Sequence, residues 1–147
     1  MKLHLLASIL FMTVVYSVTA QQITVARDSA TMKNRESKIV VYSISLIKLI
    51  ATPEKYHNKE VIVSGFLNLQ FEGTAIYLHE DDCQNGLNKN GFWVNFSDNV
   101  TKEQLSISNQ NYVTLRGTFD MERAGHFGLW SGTIKNITSV TPLSEKE

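Results

Sequence analysis

The densest group of side chains able to do chemistry is the run His79-Glu80-Asp81-Asp82. Imidazole nitrogens and carboxylate oxygens are ligands for divalent cations in proteins, so one hypothesis is a metal site here, which His126 approaches from another part of the chain. The spacing matches neither a calcium-binding loop of alternating aspartates nor the H-E-x-x-H pattern of zinc proteases. The competing interpretation is a solvated acidic loop after a strand, and the sequence indicates no cofactor.

A second candidate is His126, which lies in the run Gly125-His126-Phe127-Gly128. The glycines let the backbone come close to a bound molecule, and a neutral imidazole there can donate to a ligand or act as a base. No partnered acid or nucleophile is identifiable, and no G-x-S-x-G pattern is present. A binding protein is therefore favoured over an enzyme, and a histidine that only satisfies its own turn is the competing interpretation.

Other side chains offer further contacts to a ligand. Tyr77, Trp93 and Trp130 can stack on a base or a sugar, although strand aromatics commonly pack on each other instead. Arg116 can clamp a carboxylate or phosphate, or can form a cross-strand ion pair. Cys83 is the only cysteine, so the chain has no internal disulfide, and nearby aspartates disfavour its thiolate.

The charge of the chain argues against nucleic acid as the partner. Residues 61–147 hold six basic and ten acidic residues, a net charge of −4, whereas residues 21–60 carry a net charge of +3. A domain that binds phosphates usually presents a basic face. Binding of single-stranded nucleic acid stays an alternative whose signature is a steep dependence on salt.

The first twenty residues have the pattern of an export signal. Lys2 is followed by the mostly apolar run 5–16 and by Val18-Thr19-Ala20, which places small or compact residues before a cleavage site. The apolar run is shorter than the roughly 20 residues of a transmembrane helix. We expect residues 1–20 to be a signal peptide and the mature protein to be periplasmic or secreted without a membrane span. An anchor that is not cleaved is the alternative.

These residues must be positioned by one domain, residues 38–143, which follows a polar flexible arm at residues 21–37. A short strand within residues 38–43 and a helix capped by Ser45 open the domain. The alternation of apolar residues predicts five further strands, at residues 60–70, 75–79, 91–96, 112–119 and 127–140. The connecting segments are a turn at 71–74, a polar loop at 80–90, and a short helix at 101–107 capped by Ser97 or Asn99.

One strand pattern occurs twice. Val61-Ile62-Val63-Ser64-Gly65-Phe66-Leu67 recurs 52 positions later as Val113-Thr114-Leu115-Arg116-Gly117-Thr118-Phe119. A glycine weakens a strand, so two glycines at the same phase indicate a bend or a close backbone approach at each. This is typical of a small barrel that coils on itself.

The order strand, strand, strand, short helix, strand, strand resembles the OB-fold, a five-stranded, partly open barrel. The resemblance covers residues 44–140 and implies an all-β protein with minor α. It further implies a helix before the first barrel strand and a short helix between strands three and four. The run Leu49-Ile50-Ala51-Thr52-Pro53-Glu54-Lys55-Tyr56, with Val61-x-Val63-x-Gly65 after it, is similar to small exported bacterial proteins of uncharacterised activity.

The OB-fold binds ligands on strands two and three and on the loops that join strands one to two and four to five. By this resemblance the loops are residues 69–74 and 120–126. The outward residues between them form a platform of Tyr77, His79, Trp93 and Asn95. The leading hypothesis is a non-enzymatic module that recognises a protein or a small polar ligand through this surface.

Overall fold

A computed structural model of the chain describes residues 39–143. The expected signal peptide at residues 1–20 and the expected arm at residues 21–37 lie outside the described residues, and so do residues 144–147. None of the helices between residues 39 and 143 is long and apolar enough to cross a bilayer.

Strands dominate the described part of the chain. They are β1 (Val41–Ser43), β2 (Glu60–Asn68), β3 (Ala75–Tyr77), β4 (Gly91–Phe96), β5 (Asn111–Asp120) and β6 (Thr133–Pro142). The α-helices are short: α1 (Leu46–Ala51), α2 (Glu80–Gln84) and α3 (Lys102–Ser108). Single 3₁₀ turns cover Pro53–Lys55, Asn88–Asn90 and His126–Gly128.

The sheet closes on itself in the order β2-β3-β4-β6-β5, with β5 pairing back to β2. The pairing of β4 with β6 is parallel, and the other pairings within the barrel are antiparallel. Strand β1 lies outside the barrel, parallel to the start of β2. The prediction of a five-stranded OB-like barrel, with α1 before its first strand and α3 between its third and fourth strands, is confirmed.

The repeated glycines lie on the paired strands β2 and β5. In their register Gly65 is opposite Val113 and Gly117 is opposite Val61. A Cβ added at Gly65 would collide with the carbonyl of Tyr77, and one added at Gly117 would lie 2.9 Å from the carbonyl of Lys135. Both glycines therefore admit a neighbouring backbone at closer range than a side chain allows, as the pattern predicted.

Helices α1 and α3 each begin after a residue whose side chain accepts a hydrogen bond from a backbone N–H of the first helical turn. The Ser45 Oγ accepts from the backbone N–H of Lys48 over 3.2 Å, as predicted for α1. The cap of α3 is Thr101 rather than Ser97 or Asn99, so that prediction is wrong. Thr101 forms a reciprocal pair with Gln104, in which each side chain accepts from the other residue's backbone N–H.

Three segments differ from the predicted elements. The polar loop at residues 80–90 contains α2, and the fifth barrel strand begins at Thr133 rather than at residue 127. In the turn at 71–74 the left-handed residue is Glu72, with φ 57°, rather than Gly73. The helix α2 and the late start of β6 involve polar side chains or distant backbone partners, which a pattern of apolar residues does not register.

Candidate ligand-binding cleft

An open cleft of about 510 Å³ lies between β4 and residues 122–133. Three of the predicted site residues, Trp93, Asn95 and His126, line it together. The loop between β5 and β6, residues 121–132, adds Glu122 and Arg123 to its wall. Strand β4 and the loop after β5, which the resemblance to the OB-fold implied as binding elements, thus lie together at a concave surface.

The β4 wall of the cleft is built on Trp93. Its indole Nε1 donates to the Oδ1 of Asn95 over 2.9 Å, and its ring packs edge-on against Trp130 with centroids 4.9 Å apart. Because the Asn95 oxygen accepts from the indole, this exposed side chain directs its amide N–H groups to solvent or a ligand. The Trp93–Asn95 hydrogen bond thus orients both side chains and leaves amide N–H groups as the polar donors of this wall.

Two hydrogen bonds hold the two arms of the β5–β6 loop together. The Thr133 hydroxyl, at the start of β6, donates to the carbonyl of Arg123 over 2.7 Å, and the backbone N–H of Trp130 donates to the carbonyl of Ala124 over 3.1 Å. Gly125, with φ 67°, packs so closely that an added Cβ would lie 2.7 Å from the Trp93 ring and 2.8 Å from the Trp130 ring. A side chain at this position would push the loop away from the cleft.

Lys89 holds the second half of the β5–β6 loop through hydrogen bonds, a role that was not predicted from the sequence. Its ammonium donates to the carbonyls of Gly128 and Trp130, each over 3.0 Å. The Ser131 hydroxyl in turn donates to the Lys89 carbonyl over 2.6 Å. A lysine in a polar segment normally indicates only a solvated residue, so no local signal revealed these contacts.

Tyr77 is buried, with 4% of its surface exposed, so its place on an outward binding platform was wrong. The hydroxyl donates to the Oδ1 of Asn88 over 3.1 Å and accepts from the indole N–H of Trp130 over 3.3 Å. Burial raises the pKa of Tyr77. Tyr77 and the equally buried Trp130 therefore support the cleft from below and are not available to stack on a ligand.

The run His79-Glu80-Asp81-Asp82 forms the N-cap and first turn of α2. The buried Asp82 carboxylate accepts from the His79 backbone N–H over 3.1 Å and from the Asn90 amide over 2.8 Å. Glu80 accepts from Gln84 within the same helix. Among residues 39–143 these side chains do not gather as a ligand set, and His126 lines the cleft instead.

Two other predicted residues have structural surroundings. The Arg116 Nε donates to the Glu60 carboxylate over 2.8 Å, and this hydrogen bond raises the pKa of Arg116. Arg116 therefore forms the cross-strand ion pair and does not line the cleft. Burial raises the pKa of the half-buried Cys83 thiol, and the charge of Glu80 adds to this, so the thiolate is disfavoured as predicted but not by the neighbouring aspartates.

A cluster that the sequence did not suggest is formed by His57, Asp120 and Glu122. One nitrogen or oxygen from each lies within 4.8 Å of the others, and His57 is 63 positions away from Asp120 in the sequence. The Asp120 Oδ2 accepts from the Lys135 ammonium over 2.7 Å, and this hydrogen bond is the main cause of a lowered Asp120 pKa. A lysine thus already neutralises the buried carboxylate.

The hydrogen bonding of His57 also opposes a metal in this cluster. The Met121 backbone N–H donates to His57 Nδ1 over 3.2 Å, so the lone pair of this nitrogen is already used. The other ring nitrogen, Nε2, lies 2.9 Å from the Asn58 side-chain Nδ2 and 3.9 Å from Glu122. A metal at Nδ1 would have to displace the Met121 hydrogen bond. The cluster joins the turn before β2 to the end of β5.

Compared with known proteins, the sequence matches no family model and no curated protein. The class of protein is therefore defined by the fold alone, as an OB-like barrel with an open cleft beside its third strand.

Proposed function

We propose that the protein is an exported, non-enzymatic binding module that takes a small polar ligand, or a polar segment of another protein, in the cleft. The observation that carries this proposal is the Trp93–Asn95 hydrogen bond, which presents oriented amide donors in the same cleft as His126. Sites for small molecules combine an apolar wall with a few placed polar groups, and this cleft has that composition.

The cleft favours a ligand rich in hydrogen-bond acceptors. Asn95 and Arg123 supply donors, and His126 supplies a group that can donate or accept. Glu122 accepts at the rim, where 74% of its side chain is exposed. A small molecule that carries hydroxyl or carboxylate groups can form hydrogen bonds with all four side chains. Its binding does not need a strongly basic surface.

Binding without catalysis is supported by how the polar groups of the cleft are used. The Thr133 hydroxyl donates to the Arg123 carbonyl, so it is not oriented as a nucleophile toward His126. The imidazole packs against the Phe127 ring, with centroids 4.0 Å apart. Within residues 39–143 the cleft thus offers contacts rather than an assembled set of nucleophile, base and acid.

Ligand-observed NMR with a mixture of monosaccharides, amino acids and organic acids tests the proposal. We expect hits to shift the Trp93 indole and Gly125 amide resonances of ¹⁵N-labelled protein. Asn95→Ala should weaken binding about tenfold, because one or two hydrogen bonds are lost. Ser106→Ala, on the exposed side of α3, is the matched control and should leave affinity unchanged. Hits that shift only resonances outside the cleft, or turnover that depends on His126, contradict the proposal.

Export rests on the pattern of residues 1–20 and has its own test. We expect the protein expressed in a bacterium to accumulate in the periplasm or medium with Gln21 as its first residue. Mass spectrometry of the intact protein measures this directly. A cytosolic protein that retains residues 1–20 contradicts export.

A further inference from the structure

The two formally charged side chains of the cleft, Glu122 and Arg123, have opposite signs and do not neutralise each other. Both line the cleft, yet no ion pair joins them within residues 39–143. Both side chains are exposed, Glu122 to 74% and Arg123 to 77%. The cleft therefore holds one anion and one cation that are accessible to a ligand.

The guanidinium of Arg123 keeps its hydrogen-bond donors free. The Oδ2 of Asp120 lies 3.8 Å from Arg123 Nε, which is beyond hydrogen-bonding distance. That oxygen accepts instead from the Lys135 ammonium over 2.7 Å. In the part of the chain that the structure describes, no oxygen accepts from the Arg123 guanidinium. A free guanidinium can bind a carboxylate through two parallel hydrogen bonds.

The Glu122 carboxylate is free in the same sense. Its Oε1 lies 3.9 Å from His57 Nε2, too far for a hydrogen bond, and no lysine or arginine among the described residues forms an ion pair with it. The backbone beneath the two charges is nevertheless fixed. The Glu122 N–H donates to Asp120 Oδ1 over 3.1 Å. The Arg123 carbonyl accepts from the Thr133 hydroxyl over 2.7 Å.

We propose that the ligand of the cleft is a small zwitterion, an α-amino acid, whose carboxylate pairs with Arg123 and whose ammonium pairs with Glu122. This choice of ligand rests on the proposed function, because it names the class of molecule that the cleft takes. The amide N–H groups of Asn95 offer the carboxylate further donors. Opposite charges on ligand and cleft then meet at both ends of one small molecule.

Other classes of ligand match these charges less completely. A monocarboxylic acid pairs with Arg123 but brings a second negative charge close to Glu122, and like charges repel. A neutral monosaccharide leaves both charges without a counter-ion. Stacking of a sugar on the Trp93 ring is also restricted, because Trp130 packs against this ring with centroids 4.9 Å apart and a Cβ added at Gly125 would lie 2.7 Å from it.

Calorimetric titration of the full chain with the common L-amino acids, with several monosaccharides and with organic acids tests the choice of ligand. We expect at least one amino acid to bind with a dissociation constant on the order of 0.1 mM. Its N-acetyl derivative lacks the ammonium, and its amide lacks the carboxylate. Each derivative should bind about tenfold more weakly than the amino acid, because each loses charge-assisted hydrogen bonds.

Two substitutions assign each end of the ligand to one side chain. Glu122→Gln should weaken binding of the amino acid about tenfold but should not weaken binding of the N-acetyl derivative, which has no ammonium to lose. Arg123→Gln should weaken binding of the amino acid but not of its amide. A variant that only disturbs the loop would weaken all three ligands alike. Lys102→Gln, at an exposed position on α3, is the matched control and should leave all three affinities unchanged.

The titrations separate the choice of ligand from the proposed function. If no probe of any class binds in the cleft, as mapped by the Trp93 and Gly125 resonances, both proposals are overturned. If a monosaccharide or an organic acid binds in the cleft and no amino acid does, only the choice of ligand is overturned. An amino acid whose affinity is unchanged by Glu122→Gln and by Arg123→Gln overturns it as well.

Discussion

The indole N–H of Trp130 donates to the hydroxyl of Tyr77 over 3.3 Å, and both side chains are buried. The two residues are 53 positions apart, Tyr77 on β3 and Trp130 on the β5–β6 loop. Trp93 packs edge-on against the same indole, so the bond supports the wall of the cleft. This buried hydrogen bond is therefore one of the contacts that hold the β5–β6 loop in place beside the cleft.

Tyr77→Phe should lower the free energy of unfolding by about 1–3 kcal/mol, because a buried indole N–H loses its acceptor. Urea unfolding followed by tryptophan fluorescence measures the change. Tyr112→Phe is the matched control, since its hydroxyl accepts from Glu80 at an exposed position and its removal should cost at most about 0.5 kcal/mol. Equal losses in the two variants would show that the Trp130 bond does not support the loop.

The repeated glycines make a second prediction. Gly65→Ala and Gly117→Ala should each destabilise the barrel by about 1–3 kcal/mol, because the new methyl group meets backbone carbonyls that cannot move independently. Thermal unfolding followed by circular dichroism measures the loss. Gly73→Ala is the control, because its added methyl would meet its nearest neighbour at an ordinary 3.5 Å. A neutral Gly65→Ala would contradict the close approach of β2 to β3.

The strands of the barrel were predictable because each one shows an alternation of apolar and polar residues within its own short segment of sequence. Alternation predicted the strand and put Tyr77 on its outward face; in the structure Ile76 packs in the main core and Tyr77 lies in a separate cluster on the opposite face of β3. What alternation cannot register is that the β5–β6 loop folds back over that face and buries Tyr77 beneath Trp130. Of the four residues predicted to form the outward platform, Trp93 and Asn95 line the cleft, His79 is the N-cap of α2 and does not line the cleft, and Tyr77 is buried beneath it.

The cleft was only partly predictable because its loop is held by contacts between distant residues. Lys89 bonds to carbonyls about 40 positions away, and His57 joins Asp120 across 63 positions. Such partners have no period and no fixed spacing in a sequence. The left-handed backbone of Phe127 could not be predicted either, because the nearby Gly125 and Gly128 are the residues expected to adopt such a conformation.

The acidic run offers a third prediction, from two neighbouring aspartates in different environments. Asp82→Ala should destabilise the protein by about 1–3 kcal/mol, because the His79 N–H and the Asn90 amide lose their acceptor. Asp81→Ala, at an exposed position, should change stability by at most about 0.5 kcal/mol. Thermal unfolding with and without added Zn²⁺, Ca²⁺ or chelator measures both variants. Stabilisation by a divalent ion that requires Asp81 would contradict the structural role of this run.

The Asp120–Lys135 pair makes a prediction about pH. The Lys135 hydrogen bond is the main cause that lowers the pKa of Asp120, burial opposes it, and the Glu122 N–H and the charges of Lys135 and His57 add to the lowering. The folded protein therefore favours the ionised carboxylate more than the unfolded chain does. Its contribution to stability is complete above the unfolded pKa, about 3.9, and is lost as the pH falls below that value toward the folded pKa.

Asp120→Asn, which cannot ionise, should remove that part of the acid sensitivity and cost about 1–3 kcal/mol at pH 7. Urea unfolding at steps between about pH 7 and pH 2 measures the slope of stability against pH, which should be shallower below about pH 4 in the variant. Glu122→Gln, at a side chain 74% exposed, is the matched control and should keep the slope of the unsubstituted protein. An Asp120→Asn variant as acid-sensitive as the unsubstituted protein would mean that the lysine contact does not hold the carboxylate ionised.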